Sequence, residues 1–316
     1  MYEDYLKEAN SIVSRWEKTN LLAGIESVAE QQQMALVLEN QRLFNEVLFK
    51  EFENKTDEQL TTEEVTKRDT VARFARISIP LIRRIFGEFV PFKLVSVQTL
   101  LNSTGKLYYM DQMGIIRETE VIAKNGIFKS KMNQAPMTEY SLDEEAQRCA
   151  DCAVAITTEI TRQVLVDLRL NAGSVLEHKW TGPEQLFDMT VLCSTAVDKK
   201  IGRSANWIVT SPMLADYLTD FGPLENAHEQ LDRPCYRGTL VGAANKKWNL
   251  YVDPVFPNQI LMGYKGADNL TPGYFYNPYI VLSNGPNYSE SGTIITRYGK
   301  KLLNNSHYAR IDVSGL

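Results

Sequence analysis

The sequence has little cysteine and little histidine, the side chains that most often bind metals or act as nucleophiles. Its 316 residues include four cysteines and three histidines. Cys149 and Cys152 form a C-x-x-C pair, but a zinc site would need further ligands, and neither a second such pair nor an H-x-x-x-H sequence is present. Because the acidic N-terminus is not typical of a secretory signal, we expect reduced thiols that pack in the interior. We therefore predict no metal site and no cofactor.

The sequence also lacks the motifs of the common enzyme classes. It contains no G-x-x-x-x-G-K-[ST] or G-x-G-x-x-G phosphate loop, no G-x-S-x-G and no H-E-x-x-H. A thiol enzyme that pairs Cys149 or Cys152 with a histidine is the best catalytic alternative. We predict that the protein has no catalytic residues and is not an enzyme.

Long apolar runs are absent as well. No run of about 18 apolar residues occurs, so we predict no membrane-spanning segment. Hydrophobic residues make up 44% of the chain and charged residues 23%, which is typical of a folded globular protein and excludes a disordered or fibrous one. The length allows one large domain or two ordinary ones.

Charge is unevenly distributed along the chain. Residues 1–66 carry a net charge of −8 and residues 67–93 a net charge of +5, within a total of −5. An acidic segment beside a basic one is typical of an interacting arm, although solvated helix faces are the alternative. The basic segment is also a candidate for binding nucleic acid, but a dedicated DNA-binding domain is expected to be strongly basic, and this chain is net acidic. We therefore favour an arm that docks on an acidic neighbour.

Helical periodicity dominates the first part of the sequence. Apolar residues recur at roughly helical spacing from Leu21 to Phe52, which predicts an amphipathic helical segment that something must cover. Ser78 and Pro80 are typical of an N-cap and a first turn. We therefore expect a helix to begin there and to end near Gly87.

A second, longer helix follows a long loop. Ser141 and Glu144 form a capping box at the start of an apolar stripe that continues to about Asn171. At 1.5 Å per residue this helix would be roughly 45 Å long, which is typical of a spine or a strut. Before it, residues 112–138 show weak periodicity, and the alternation at 119–123 predicts one arm of an extended hairpin.

The second half changes to short segments separated by turns. Helices are predicted at 183–201 and from Pro212 onward. Strands are predicted at 93–101, 106–111, 206–210, 236–242, 248–253, 259–264, 274–282, 293–299 and 308–313. The whole pattern is of the α+β class.

Six segments of the second half occur in an order typical of one family. They read Asn206-Trp-Ile-Val-Thr-Ser-Pro-Met, Leu250-Tyr-Val-Asp-Pro, Met262-Gly-Tyr-Lys-Gly, Gly273-Tyr-Phe-Tyr-Asn-Pro-Tyr-Ile-Val-Leu, Thr296-Arg-Tyr-Gly and Tyr308-Ala-Arg-Ile-Asp-Val. This series, with Pro80-Leu-Ile-Arg-Arg-Ile-Phe and Val95-Ser-Val-Gln upstream, resembles the major capsid proteins of T-even-type myoviruses, which adopt the HK97-like capsid fold. The resemblance covers about residues 70–316.

The resemblance implies an α+β, HK97-like division of the chain. It implies an N-terminal arm at 1–66, a peripheral domain at 67–173 with an extended loop (106–138) and a spine helix (141–171), an axial domain at 174–282, and a return to the peripheral domain at 283–316. Relatives carry an insertion domain in the loop region, for which residues 112–138 leave no room.

The function that the resemblance implies is that of a major capsid protein. It would self-assemble into hexameric and pentameric capsomers of an icosahedral phage head that encloses double-stranded DNA without sequence-specific contacts. Its other implied partners are portal, scaffolding, decoration and prohead protease proteins, with no membrane. The implied location is the virion, assembled in the host cytoplasm. An encapsulin-type nanocompartment shell, which shares the fold, is the alternative.

We predict that the contacts between subunits include three arginines, three apolar side chains and one tryptophan: Arg76, Arg83, Arg84, Ile115, Ile116, Phe128 and Trp16. Arg83 and Arg84 are expected to pair with acidic groups of a neighbour or of the arm.

The N-terminal arm raises a separate question, because relatives lose theirs to a prohead protease at a short apolar-x-Glu site. Here Leu60-Thr-Thr-Glu has one residue too many for that site. We therefore predict that the arm is retained.

Overall fold

The chain has the α+β architecture that its sequence predicts. The computed structural model describes residues 2–25, 27–50, 61–87, 89–129, 142–228, 234–242, 246–283 and 293–316. Two compact units divide the chain, the first made of residues 1–89, 97–159 and 276–301, and the second of residues 90–96, 160–275 and 302–316. Within the described ranges, no helix combines the length and the hydrophobicity needed to cross a membrane.

Three helices open the first unit: α1 (Tyr2–Trp16), α2 (Val28–Phe49) and α3 (Thr62–Gly87). At the start of α2, the side chain of Ser27 accepts a hydrogen bond from the N–H of Glu30 at 3.4 Å, as expected of an N-cap. Every side chain from Gln33 to Gln41 is buried. The middle of this helix therefore lies inside the first unit, while its ends are partly exposed, with Val28 at 68% and Val47 at 61%.

The predicted helix start at Ser78 is wrong, because α3 continues through Pro80 without a break. Proline removes one backbone donor and leaves the carbonyl of Arg76 without its helical partner. Both Arg76 and Pro80 lie on the exposed side of the helix, where water can reach that carbonyl. The Ser78 side chain points inward instead, where it donates to the carbonyl of Ala75 at 3.1 Å and accepts from Asn45 Nδ2 at 3.0 Å.

Strands occupy most of the rest of the first unit. They are β1 (Ser96–Val97), β2 (Thr104–Met110), β3 (Ile116–Ile122), β4 (Lys124–Lys129), β11 (Tyr274–Ile280) and β12 (Thr293–Leu302). Four form a sheet in the order β1-β11-β12-β4, and β2 and β3 form a separate antiparallel hairpin. The hairpin predicted from the alternation at 119–123 is thus confirmed. The strand predicted at 93–101 is mostly wrong, since a short helix, α4 (Pro91–Leu94), precedes the two residues of β1.

The long helix is confirmed as α5 (Leu142–Leu170), 29 residues in length. Its predicted capping residue, Ser141, lies outside the described residues. Buried side chains from Ile156 to Leu168 recur at helical spacing, as the apolar stripe predicts.

A seven-stranded sheet forms the centre of the second unit. Its order is β5-β13-β10-β6-β9-β8-β7. The strands are β5 (Ser174–Lys179), β6 (Trp207–Thr210), β7 (Leu224–Glu225), β8 (Cys235–Val241), β9 (Lys247–Val252), β10 (Gln259–Gly263) and β13 (Tyr308–Ser314). The helices α6 (Pro183–Ile201) and α7 (Pro212–Phe221) pack against it over a core that includes Trp248, Leu250 and Met262.

The two units divide the chain differently from the domains that the resemblance implies. Residues 302–316 group with the second unit, because β13 lies between β5 and β10 and pairs with both. Residues 1–66 group with the first unit, because α2 is buried in it. The local sequence pattern does not report either arrangement, since both depend on contacts between segments far apart in the chain.

Candidate inter-subunit surfaces

Apolar side chains are concentrated at the free end of the β2–β3 hairpin. Met113 is 84% exposed, Ile115 48% and Ile116 39%. Further from the tip, Leu107 is fully covered and Val121 nearly so, whereas Ile122 at the last pair of the hairpin is 59% exposed. We call residues 110–116 the hairpin tip. Exposed apolar side chains clustered in this way are typical of a surface that binds another protein.

One carboxylate organises the hairpin tip. Asp111 Oδ1 accepts the backbone N–H groups of Met113 and Ile115, both at 2.9 Å, and Asp111 Oδ2 accepts Arg117 Nε at 2.9 Å. Gly114 adopts a positive φ of 76°, which glycine tolerates without strain. Hydrogen bonds from Ile115 and Arg117 hold the pKa of Asp111 below its usual range. The tip is therefore shaped before any partner arrives.

The base of the hairpin is anchored to the rest of the first unit. The ring of Tyr108 packs against the rings of Tyr2 and Tyr5 of α1, with centroids 5.2 and 5.6 Å away. Gln98 binds the backbone of Tyr108 on both sides, since its Oε1 accepts the N–H at 2.9 Å and its Nε2 donates to the carbonyl at 2.5 Å. Lys301 Nζ donates to Thr119 Oγ1 at 2.6 Å. These contacts fix the direction of the hairpin relative to its own unit.

Three of the predicted contact residues lie on α3. Arg76 and Arg84 are exposed, and neither has a hydrogen bond or ion pair with another residue that the structure describes. Arg83 is half-buried and its guanidinium donates to the backbone carbonyl of Ala23, in the connection between α1 and α2. Arg83 thus contacts the N-terminal segment of its own chain through a backbone carbonyl.

Trp16 is used within its own chain. Its side chain is buried, and its Nε1 donates to Glu39 Oε2 at 3.0 Å. Glu39 also accepts Arg42 Nη2 at 2.8 Å and forms an ion pair with Arg15. This cluster ties α1 to α2 and leaves little of the indole for the predicted contact with another subunit.

Phe128 lies on β4, opposite Ile294 of β12, and its side chain is outside the described part of the structure. The structure therefore brings Ile115 and Ile116 together at the hairpin tip and places the arginines on α3. Sequence reasoning missed Met113 and Asp111. Asp111 ends the strand predicted at 106–111 and stands three residues before Gly114, and this combination is a turn signal that would have indicated them.

Two of the three thiols that the structure describes are shielded from solvent. Cys152 and Cys193 are buried, and burial raises the pKa of the Cys193 thiol to about 12, which keeps it protonated. Burial also lowers the pKa of His307. The side chain of Cys149 lies outside the described residues. Among the side chains that the structure describes, no three His, Cys, Asp or Glu residues are grouped as a metal site requires.

Comparison with protein families gives one match. A family model described as Major capsid protein Gp23 matches residues 137–314, more than half of the chain. The matched region begins before α5 and includes all of the seven-stranded sheet. No curated protein matches the sequence.

Solved structures with a similar arrangement include three of different origin. A phage-related protein from Bordetella bronchiseptica RB50 is 12% identical, with coverage of 74% of this chain and 96% of that one and a TM-score of 0.41. The capsid of the cyanophage P-SCSP1u is 9% identical, with coverage of 71% and 88% and a TM-score of 0.42. The SrpI encapsulin of Synechococcus elongatus PCC 7942 is 11% identical, with coverage of 70% and 85% and a TM-score of 0.40. Similarity at this level carries no argument about function.

Proposed function

Because this chain belongs to the Gp23 major capsid protein family, we propose that it is the shell subunit of an icosahedral phage head that encloses double-stranded DNA. The protein is a capsid protein of phage type, and the family brings with it the HK97-like fold predicted from the sequence. In our proposal the subunits form hexameric and pentameric capsomers. The family match over residues 137–314 is the observation that carries the proposal.

We propose that the hairpin tip is one of the surfaces by which copies of the chain bind each other. A stable protein interface buries about 1,200–2,000 Å² in total, and a few tip residues cannot supply that area alone. A ring of identical subunits is closed by contacts in which two different surfaces of each copy meet. In each subunit the tip would contact the next subunit of the ring. These repeated contacts would add to the larger contacts between the main parts of the subunits.

We propose that Arg76 and Arg84 bind acidic groups of a neighbouring copy. The charge of the chain supports this, since residues 1–66 carry a net charge of −8 and are part of every copy. An exposed ion pair contributes only about 0–1 kcal/mol, and salt screens it over a length of about 8 Å at physiological ionic strength. Such pairs therefore matter through their repetition over many subunits.

The test of this contact is the double charge reversal Arg76→Glu with Arg84→Glu. We expect the variant to keep the melting temperature of the natural protein and to lose assembly, as measured by sedimentation velocity. The matched control is Lys199→Glu with Arg203→Glu, two exposed cations at the end of α6 in the second unit. If the arginine variant assembled at the same protein concentration as the unaltered protein, Arg76 and Arg84 would not be part of the interface.

The remaining parts of the proposal concern partners and location. We propose that the protein has no enzymatic activity and that it meets portal, scaffolding, decoration and prohead protease proteins during assembly in the host cytoplasm. Packaged DNA would be enclosed without base recognition. A net-acidic shell repels DNA, and enclosing the DNA does not need tight binding to it. The encapsulin alternative is not favoured, since the matching family model is that of a major capsid protein.

A further inference from the structure

The helix α2 carries an unusual set of buried amide side chains. Gln33, Asn40, Gln41 and Asn45 are each at most 7% exposed. Buried polar groups are expensive unless they are hydrogen-bonded, and amides in a helix that merely lay on a surface would face water. The partners of these four side chains therefore indicate what the helix is for.

Those partners are mostly backbone groups of distant segments. Asn40 Nδ2 donates to the carbonyls of Leu100 at 2.8 Å and Tyr279 at 3.0 Å. Gln41 forms a two-way pair with Leu282, in which Nε2 donates to its carbonyl and Oε1 accepts its N–H, both at 3.1 Å. Side-chain amides of α2 thus form the hydrogen bonds to these backbone groups that a neighbouring strand would otherwise form.

The same pattern continues at both ends of this region. Gln33 Oε1 accepts the N–H of Thr99 at 2.6 Å, and the Thr99 hydroxyl donates to the Gln33 carbonyl at 3.0 Å. At the other end, Asn45 Nδ2 donates to the hydroxyl of Ser78 on α3 at 3.0 Å. The segments at 99–100 and 279–282, together with α3, form a site that is complementary to this helix.

Apolar burial reinforces the polar contacts. The five consecutive residues from Met34 to Leu38 are completely inaccessible to solvent. Five residues span more than one turn of an α-helix, so every side of α2 is covered at this level. A peripheral arm would leave one side open, whereas α2 is covered as a central helix is.

We infer that residues 2–50 are a permanent structural part of the first unit, held in a docking site for an amide-bearing helix. Cutting the chain between residues 50 and 61 would therefore leave the N-terminal fragment bound. This inference does not rest on the proposed function, because it concerns the folded subunit alone. It implies that any processing in this stretch yields a nicked subunit and not a shortened one.

The experiment uses the full chain with a site-specific protease recognition sequence inserted between residues 55 and 56, outside the described residues. The purified protein is cut after folding and analysed by size-exclusion chromatography and native mass spectrometry. We expect both fragments to elute together as a 1:1 complex with the mass of the uncut chain. Release of the small fragment, with the remainder still folded and monodisperse, would overturn the inference.

Variants at the docking site make the test specific. In the cut protein, Asn40→Ala removes the donor to the buried carbonyl of Leu100 and to the partly buried carbonyl of Tyr279. We expect the fragment to bind at least about tenfold more weakly. Gln41→Ala should have a similar effect. Uncut, each variant should remain folded, because the covalent link supplies an effective concentration in the millimolar range.

The matched control is Gln32→Ala, since Gln32 lies on the same helix and its amide makes an exposed hydrogen bond to Asn10. We expect this variant to retain the fragment as the natural protein does. Equal retention by Asn40→Ala, Gln41→Ala and Gln32→Ala would show that the amides do not form the docking contacts, and would overturn that part of the inference. If Asn40→Ala fails to fold when uncut, the comparison of Gln41→Ala with Gln32→Ala decides the matter.

Discussion

Replacing Met113 with serine is the most direct perturbation of the proposed contact at the hairpin tip. Met113 is 84% exposed in the single chain, so nearly all of its apolar surface is available for burial by a neighbour. Full burial of a methionine side chain contributes about 1.5–3 kcal/mol. Since 1.4 kcal/mol corresponds to a factor of ten, each pairwise contact should weaken by roughly ten- to a hundredfold.

The loss at Met113 should appear in assembly and not in folding. Six such contacts act together when a ring of six closes, so the protein concentration needed for assembly should rise steeply. Mass photometry over a dilution series measures that concentration, and thermal unfolding checks that the subunit itself is unchanged.

Met113→Leu is the matched control, because it keeps the apolar volume and should assemble as the natural protein does. If Met113→Ser assembled at the same protein concentration as Met113→Leu, the tip would stay in solvent in the particle and would not be a contact between subunits.

Two further predictions concern the subunit itself. Gly263→Ala should lower the stability of the second unit by about 1–3 kcal/mol or more, because a Cβ there would lie 2.2 Å from Cζ2 of the buried Trp207 ring. Thermal unfolding measures this loss. The control is Gly87→Ala, which should be nearly neutral because its Cβ meets nothing closer than 3.8 Å. The pKa of Asp111 is lower in the folded protein than its usual value of about 3.9. The hydrogen-bonded conformation of the tip should therefore be fully present above pH ~3.9 and lost as the pH falls through the pKa of the folded protein. Amide exchange at Met113, followed by NMR from neutral to acid pH, should show that loss, and the variant Asp111→Ala should show fast exchange at neutral pH; slow exchange in the variant would contradict the assigned role.

Much of the fold could be predicted from local periodicity. The long helix and the two helices of the second unit follow an apolar pattern that repeats every three to four residues. Five of the seven strands of that unit were predicted as well, and β5 and β7 were not. These patterns indicate which side of an element is apolar, and the apolar side predicted for α5 is the side that is buried. Some element boundaries were predictable too, such as the starts of α6 at Pro183 and α7 at Pro212, whereas the start predicted at Ser78 was wrong.

The errors arise where a contact connects distant parts of the chain. Gln33, Asn40 and Gln41 are polar, so the sequence pattern places them in solvent, whereas they bind backbone groups of segments up to 241 residues away. Pro80 is tolerated inside α3 because its side of the helix is exposed. Neither fact is contained in the residues next to these positions.

The candidate contact surface was predictable only in part. Ile115 and Ile116 are apolar in a segment expected to be a loop, and the structure places both at an exposed tip. Tryptophan is a residue type that interfaces favour, but the Trp16 indole N–H donates its hydrogen bond to Glu39 within the same chain. Which exposed residues meet a partner depends on the assembled particle, which a single chain does not contain.

Negative-stain electron microscopy of the purified protein shows whether the chain assembles into a shell. We expect rings, tubes or closed shells built from a repeated subunit, at protein concentrations that the Met113 and arginine variants shift upward. A uniform monomer over the whole range of salt and protein concentration, with and without a co-expressed scaffolding protein, would contradict this expectation.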